Sequence, residues 1–188
     1  MEHVIRTVRA DEWHRARDIR LAALQDPAAP LAFLDTYEAA VARPDAHWRE
    51  RTAGAAEGSD DARQFVAEAP DGSWEGTVTV LVERPGGEVR FGEAPEADQT
   101  HVVGVYVRPE ARGSGVAEAL FREAVEWSWS LGGAPVRRVR LYVHERNERA
   151  AAFYRKAGFV PTGAVVPLDG DADGALEVEY EVRRPVTV

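Results

Sequence analysis

Residues 102–117, Val-Val-Gly-Val-Tyr-Val-Arg-Pro-Glu-Ala-Arg-Gly-Ser-Gly-Val-Ala, join a β-branched strand to a helix through a glycine-rich turn. Val102, Val103, Val105 and Val107 carry strand character, and Pro109 stops the strand. Val116, Ala117, Leu120, Ala124 and Trp127 then recur at helical spacing. The first amides of a helix have no intrahelical partner and sit at its positive end, so a glycine-rich helix start is a seat for an anion, most naturally a phosphate. A nucleotide-like cofactor follows as the first expectation.

Two common phosphate loops are excluded by residue identity. A P-loop requires Gly-Lys-Ser/Thr, yet the only lysine of the chain is Lys156. The dinucleotide fingerprint would place its third glycine where Glu118 stands, and a carboxylate there opposes a pyrophosphate. What remains is Arg112-x-x-Gly115-x-Ala117.

This pattern resembles the pyrophosphate loop of the GNAT superfamily, the Gcn5-related N-acetyltransferases. A second segment resembles the family's other cofactor motif. It consists of the strand Leu141-Tyr142-Val143, Asn147, Phe153-Tyr154 on a helix, and Gly158-Phe159. The resemblance is strong over residues 74–163 and rests only on layout before them. It implies one mixed α/β domain over residues 1–188, with a mostly antiparallel twisted sheet of about seven strands. The fourth and fifth strands would splay apart, and four or so helices would flank the sheet. The family's cosubstrate is acetyl-CoA, and its bacterial members act on varied amines.

The resemblance assigns roles residue by residue. Backbone groups of Val105, Tyr106 and Val107 would hold the pantetheine arm and the acetyl carbonyl. After Arg112, the backbone amides of Gly113, Ser114, Gly115, Val116, Ala117 and Glu118 would hold the pyrophosphate, with Arg108, Arg149 and Arg155 as further candidates for the phosphates. Asn147 and Tyr154 lie seven residues apart and share a helix face. The Asn would contact the cofactor, and the Tyr hydroxyl would face its sulfur and protonate the leaving thiolate. Asn147 as an ordinary helix cap and Tyr154 as a core aromatic are the plain alternatives. Family members that acetylate a ribosomal-protein N-terminus carry a Glu where Tyr142 stands, which speaks against that substrate class. For the base that accepts the amine proton, Glu38 and His101 are the candidates; imidazole has a suitable ordinary pKa. His144 reads as a polar strand end.

The function expected is therefore acetyl-CoA-dependent transfer of an acetyl group to a primary amine in a ternary complex. The alternatives are a non-catalytic acyl-CoA sensor and an acyltransferase for a longer acyl group. The acceptor is a small-molecule or protein amine, with specificity in residues 27–42 and 84–99. No metal is required. The motif Asp169-Gly-Asp-Ala-Asp-Gly174 matches half of a calcium loop, but Tyr180 stands where the bidentate Glu belongs, so it reads as a solvated hairpin loop. A net charge of −9 argues against nucleic acid and anionic membranes and suits a cationic amine. No cysteine is present, which removes disulfides and a thiol nucleophile. The first residues do not resemble a signal peptide, so a cytoplasmic location is expected, and a homodimer is common for such folds.

The element order predicted is a strand at residues 3–9, a helix capped by Asp11 and ended by Pro27 and Pro30, then helices at 35–42 and 45–53. A hairpin of strands 63–69 and 74–82 follows, then a loop at 84–99, a strand at 100–107 and a helix at 115–131. A strand at 136–143, a helix at 147–157 and strands at 159–166 and 176–183 complete the chain.

Overall fold

The computed structural model describes residues 2–186. Seven strands form one sheet in the order β1-β2-β3-β4-β5-β7-β6. They are β1 (Val4–Thr7), β2 (Ala62–Glu68), β3 (Trp74–Glu83), β4 (Gln99–Val107), β5 (Arg138–His144), β6 (Val160–Pro167) and β7 (Leu176–Arg183). Six α-helices accompany them among the described residues: α1 (Trp13–Leu24), α2 (Ala29–Ala32), α3 (Tyr37–Val41), α4 (Asp45–Gly54), α5 (Val116–Ser130) and α6 (Glu148–Lys156). None is long and apolar enough to cross a membrane.

All strand pairs are antiparallel except β4 with β5, which run parallel. That pair meets only at Thr100 with Val139 and at His101 with Arg140. A bulge begins just beyond. Between the pairs Thr79–Val103 and Thr77–Tyr106, two steps along β3 face three along β4. Gly104 absorbs the extra residue at φ +62, a conformation that a side chain disfavours. The bulge bends β4 away from β5 and leaves a notch in the middle of the sheet.

The alternating strand pattern buries one face under α5 and α6, where Leu120, Phe121, Tyr154 and Phe159 pack on Val78, Val102, Leu141 and Tyr180. The opposite face packs Val66, Trp74 and Tyr106 against Ala16, Ile19 and Ala23 of α1. Trp13, Leu24, Ala40 and Trp48 then join α1, α3 and α4.

Two local expectations differ from the structure, and the hairpin loop expected at residues 169–174 forms. Asp11 does not cap α1; it lies in a short 3-10 turn, Ala10–Glu12. The Glu12 carboxylate accepts the Arg9 amide at 2.9 Å and closes that 3-10 turn, and α1 has no side-chain cap. Pro30 does not end helical structure, because α2 forms around it with the proline in the first turn, where its missing N–H costs nothing. The acidic stretch 169–174 is the connection between β6 and β7, with the Asp171 carboxylate accepting the Asp173 amide at 2.9 Å. Among the described residues no group of three His, Asp or Glu side chains is arranged to hold a metal ion.

Candidate active site

A cavity of about 620 Å³ begins where β4 and β5 part and runs to the turn that starts α5. Val105, Tyr106 and Val107 of β4 form one wall, with side chains alternating across the sheet: Val105 and Val107 toward α5, Tyr106 toward α1. Arg112, Gly113, Ala117 and Glu118 line the far end, and Asn147 and Tyr154 of α6 line the other wall. The two cofactor segments singled out in the sequence thus converge on one space.

The turn fits an anion. Gly115 caps α5 at φ +89, and Gly113 stands at φ +77. A Cβ on either glycine would meet nothing within 4 Å, so the α5 amides are open to a phosphate. The Glu118 carboxylate lies 3.5 Å from the Lys156 ammonium, which offsets its charge. Ser114, Gly115 and Val116 do not line the cavity with side chains. The Ser114 hydroxyl donates to the Ala111 carbonyl at 2.6 Å and tightens the turn, while Val116 is buried in the core. Arg112 is engaged within the protein: its guanidinium donates to the Val107 carbonyl at 3.0 Å and pairs with Asp26.

Asn147 is the N-cap of α6, its side-chain oxygen accepting the Ala150 amide at 3.2 Å while the residue also lines the cavity. Tyr154 is buried, and burial together with the nearby Glu177 charge pushes its phenol upward, so it stays protonated.

The two candidate bases separate. Glu38 is exposed on α3 and does not line the cavity, so the structure removes it from the expected site. His101 lines the cavity at the root of the notch with 3% exposure. Its Nδ1 lies 3.0 Å from Glu83. Burial works against the Glu83 charge, but hydrogen bonds with His101, Arg140 and Gln99 outweigh it and hold the carboxyl at about 2. A carboxylate at Nδ1 fixes the ring so that Nε2 is the nitrogen left to accept a proton.

Several residues around the cavity escaped sequence reasoning. Glu177 of β7 faces it beside His144, its cross-strand partner. Burial alone pushes the Glu177 carboxyl up to about 7. His144 Nδ1 accepts the Arg146 amide at 3.1 Å, which places the ring proton on Nε2. Glu177, Glu179 and Glu181 alternate along β7. Glu179 and Glu181 are buried under Arg138, and Glu179 also binds Arg140 and the Tyr142 hydroxyl. Tyr142 is covered by the loop between β3 and β4, where Phe91 packs edge-on at 5.0 Å. A Cβ on Gly92 would come within 2.1 Å of the Tyr142 hydroxyl, so only glycine fits there. Arg20 of α1, Arg51 of α4 and Asp35 also line the cavity.

Comparison with known proteins agrees with this geometry. Residues 13–159 match the model of the acetyltransferase (GNAT) family. A stretch of 70 residues is 37% identical to a mycothiol acetyltransferase of Pseudarthrobacter chlorophenolicus. That stretch covers 37% of this chain and only 20% of the relative. Among solved structures, a GNAT-family acetyltransferase from Streptococcus pneumoniae superposes with a TM-score of 0.74 at 16% identity, covering 98% of this chain and 100% of the other. A phosphinothricin acetyltransferase from Sinorhizobium meliloti in complex with acetyl-CoA gives 0.71 at 19% identity, covering 97% and 89%. NAA60 from Arabidopsis thaliana in complex with acetyl-CoA gives 0.68 at 17% identity, covering 97% and 98%. With a family model spanning most of its length, the notched sheet and the turn at α5 have a plain origin: the chain belongs to the acetyltransferase (GNAT) family.

Proposed function

We propose that the protein is an acetyl-CoA-dependent N-acetyltransferase that joins an acetyl group to a primary amine by direct transfer. The observation that carries this reading is the continuity of one cavity from the open amides of α5, along the unpaired edge of β4, to Tyr154 and His101. Bound acetyl-CoA would supply an activated acetyl group, and amide formation would release CoA as a thiol.

The residues of the chain then have separable tasks. The Gly113 to Glu118 turn holds the diphosphate, and backbone groups of Val105 to Val107 on the edge that β5 leaves free orient the pantetheine arm and polarise the acetyl carbonyl. Tyr154, kept protonated by burial, donates to the sulfur as the thiolate departs. His101, oriented by Glu83, takes the proton from the attacking amine, directly or through water. Glu177 is a second candidate for that proton, favoured by a carboxyl near 7 on the same cavity. Holding both substrates together supplies much of the rate, because the bimolecular encounter is prepaid by binding.

The test is a broad screen of small amines and N-terminal peptides with acetyl-CoA, read by thiol release. Thiol release that depends on an amine, with the acetylated amine detected by mass spectrometry, is the expected result. Tight acetyl-CoA binding with no acceptor turned over would support the sensor reading and overturn this one.

A further inference from the structure

We propose that Arg20 and Arg51 form an anion subsite beside the reacting centre, and that the acceptor is an amine carrying a nearby carboxylate, an amino acid or a close analogue. This rests on the acetyltransferase reading of the same cavity.

The two guanidinium groups come from different helices, α1 and α4, and meet at one place. Both line the main cavity, and both also line, with Gly104, a small void of about 20 Å³ next to it. Gly104 is the bulged residue at which β4 leaves β5. The subsite therefore adjoins the root of the notch, not the turn at α5.

The charge there is not balanced from within. Asp35 is the carboxylate of this neighbourhood, and Arg43 takes it bidentately, at 2.7 and 2.8 Å. Arg20 reaches Asp35 only at 3.4 Å, and its Nε is buried without a hydrogen-bond partner. Arg51 has no ion-pair partner within 4.0 Å among the described residues. Arg90 adds a further positive charge that Arg51 feels. Asp35 is thus taken by Arg43 and Arg20, and Arg51 and Arg90 are left without a carboxylate of their own among the described residues. Arg51 is exposed and lines the cavity, so its guanidinium is open to a ligand.

A buried guanidinium nitrogen without a partner, as at Arg20, is costly, and an anionic ligand removes part of that cost. The planar fork of a guanidinium matches a carboxylate through two parallel hydrogen bonds. The diphosphate end of the cavity does not explain the excess, because Arg112 there is already paired with Asp26. Phe33, over which Arg20 stacks at 4.6 Å, and Phe91 close the subsite with apolar surface. An amine whose carboxylate is seated between Arg20 and Arg51 would present its nitrogen toward the notch.

The test compares the twenty standard amino acids with their α-carboxamides, which keep the amine and remove the negative charge. Binding to the CoA-saturated protein is measured by calorimetry, so the result does not depend on turnover. At least one free acid is expected to bind ten-fold or more tightly than its amide. Arg51→Gln and Arg20→Gln should each erase that preference, and Arg51→Lys should restore part of it. The acetyl-CoA dissociation constant of every variant should stay within two-fold of wild type. No acid preferred over its amide would overturn the proposal, as would an Arg51→Gln protein that keeps the preference or loses acetyl-CoA affinity. Amides acetylated as well as acids would overturn the subsite while leaving the acetyltransferase reading intact.

Discussion

The Arg140 guanidinium, with no exposed surface, meets the Glu83 carboxylate at 2.7 Å across the intervening strand β4. Glu83 lies on β3 and Arg140 on β5, so the pair fastens the two halves of the sheet at the place where they begin to part. Arg140 also reaches Glu179 at 3.2 Å and the carbonyl of Glu93 at 3.0 Å, which ties down the loop over Tyr142. A buried pair adds little over an apolar isostere, but removing one member leaves an unmatched charge.

Arg140→Met should accordingly destabilise the protein by about 3–5 kcal/mol, since it strands Glu83 and Glu179 in the interior. Denaturant unfolding measures this. A loss under about 1 kcal/mol would mean that water or rearranged side chains replace the guanidinium. The pH dependence has a definite sign. The Glu83 carboxyl is held at about 2 against an ordinary 4.5, so its contribution is complete above pH 4.5 and is lost as pH falls through 2.

Gly115→Glu should weaken acetyl-CoA binding at least ten-fold, about 1.4 kcal/mol, by setting a carboxylate over the α5 amides. Because Gly115 stands at φ +89, a side chain there also strains the backbone. Gly115→Asn is the control, since Asn tolerates this conformation and adds no charge. A Glu variant with native circular dichroism and unchanged affinity in calorimetry would remove the turn from the cofactor site.

Tyr154→Phe should lower the single-turnover rate by roughly 10²-fold, the low end for a positioned proton donor. The ring remains, so acetyl-CoA affinity should barely change, the pattern expected of an interaction used mainly in the transition state. A rate within two-fold of wild type would leave solvent as the proton source and Tyr154 as a core aromatic.

Glu177→Gln should stabilise the protein at neutral and alkaline pH. The folded carboxyl titrates at about 7 and the unfolded one at 4.5. The favourable contribution of the protonated form is therefore complete below pH 4.5 and is lost as pH rises through 7. Unfolding midpoints of the two proteins should coincide at pH 4 and separate at pH 8, with the Gln variant higher. If Glu177 also accepts the amine proton, the variant loses the limb of the rate profile near pH 7. A limb that survives Glu177→Gln would remove Glu177 as the proton acceptor. Coincident midpoints at pH 8 would show a solvated carboxyl.

Much of the molecule was legible from local sequence. The apolar alternation of residues 176–183 and the Pro-Asp-Gly-Ser turn at residues 70–73 mark strands that form as expected, because side-chain period and turn chemistry act over a few residues. The glycine turn and the Asn147 to Tyr154 spacing likewise brought the cofactor candidates together, since each set lies on one continuous segment. Helix α2 was missed because a proline in the first helical turn looks the same in sequence as one that ends a helix.

The acceptor side needed the tertiary structure. Arg20 and Arg51 each read as an ordinary arginine on an amphipathic helix, and only the packing of α1 and α4 over the bulge at Gly104 brings them together. Glu179 is buried because Arg138, Arg140 and the Tyr142 hydroxyl meet it, while Glu177 faces the cavity. Glu38 belongs to the segment expected to border the acceptor, and it is exposed on α3. Periodicity says which face of an element is apolar; it does not say what covers the polar face. Burial, charge balance and proton affinity are set by that cover, so the chain's own pattern determined the candidate cofactor residues and the long-range packing decided which other residues share their cavity.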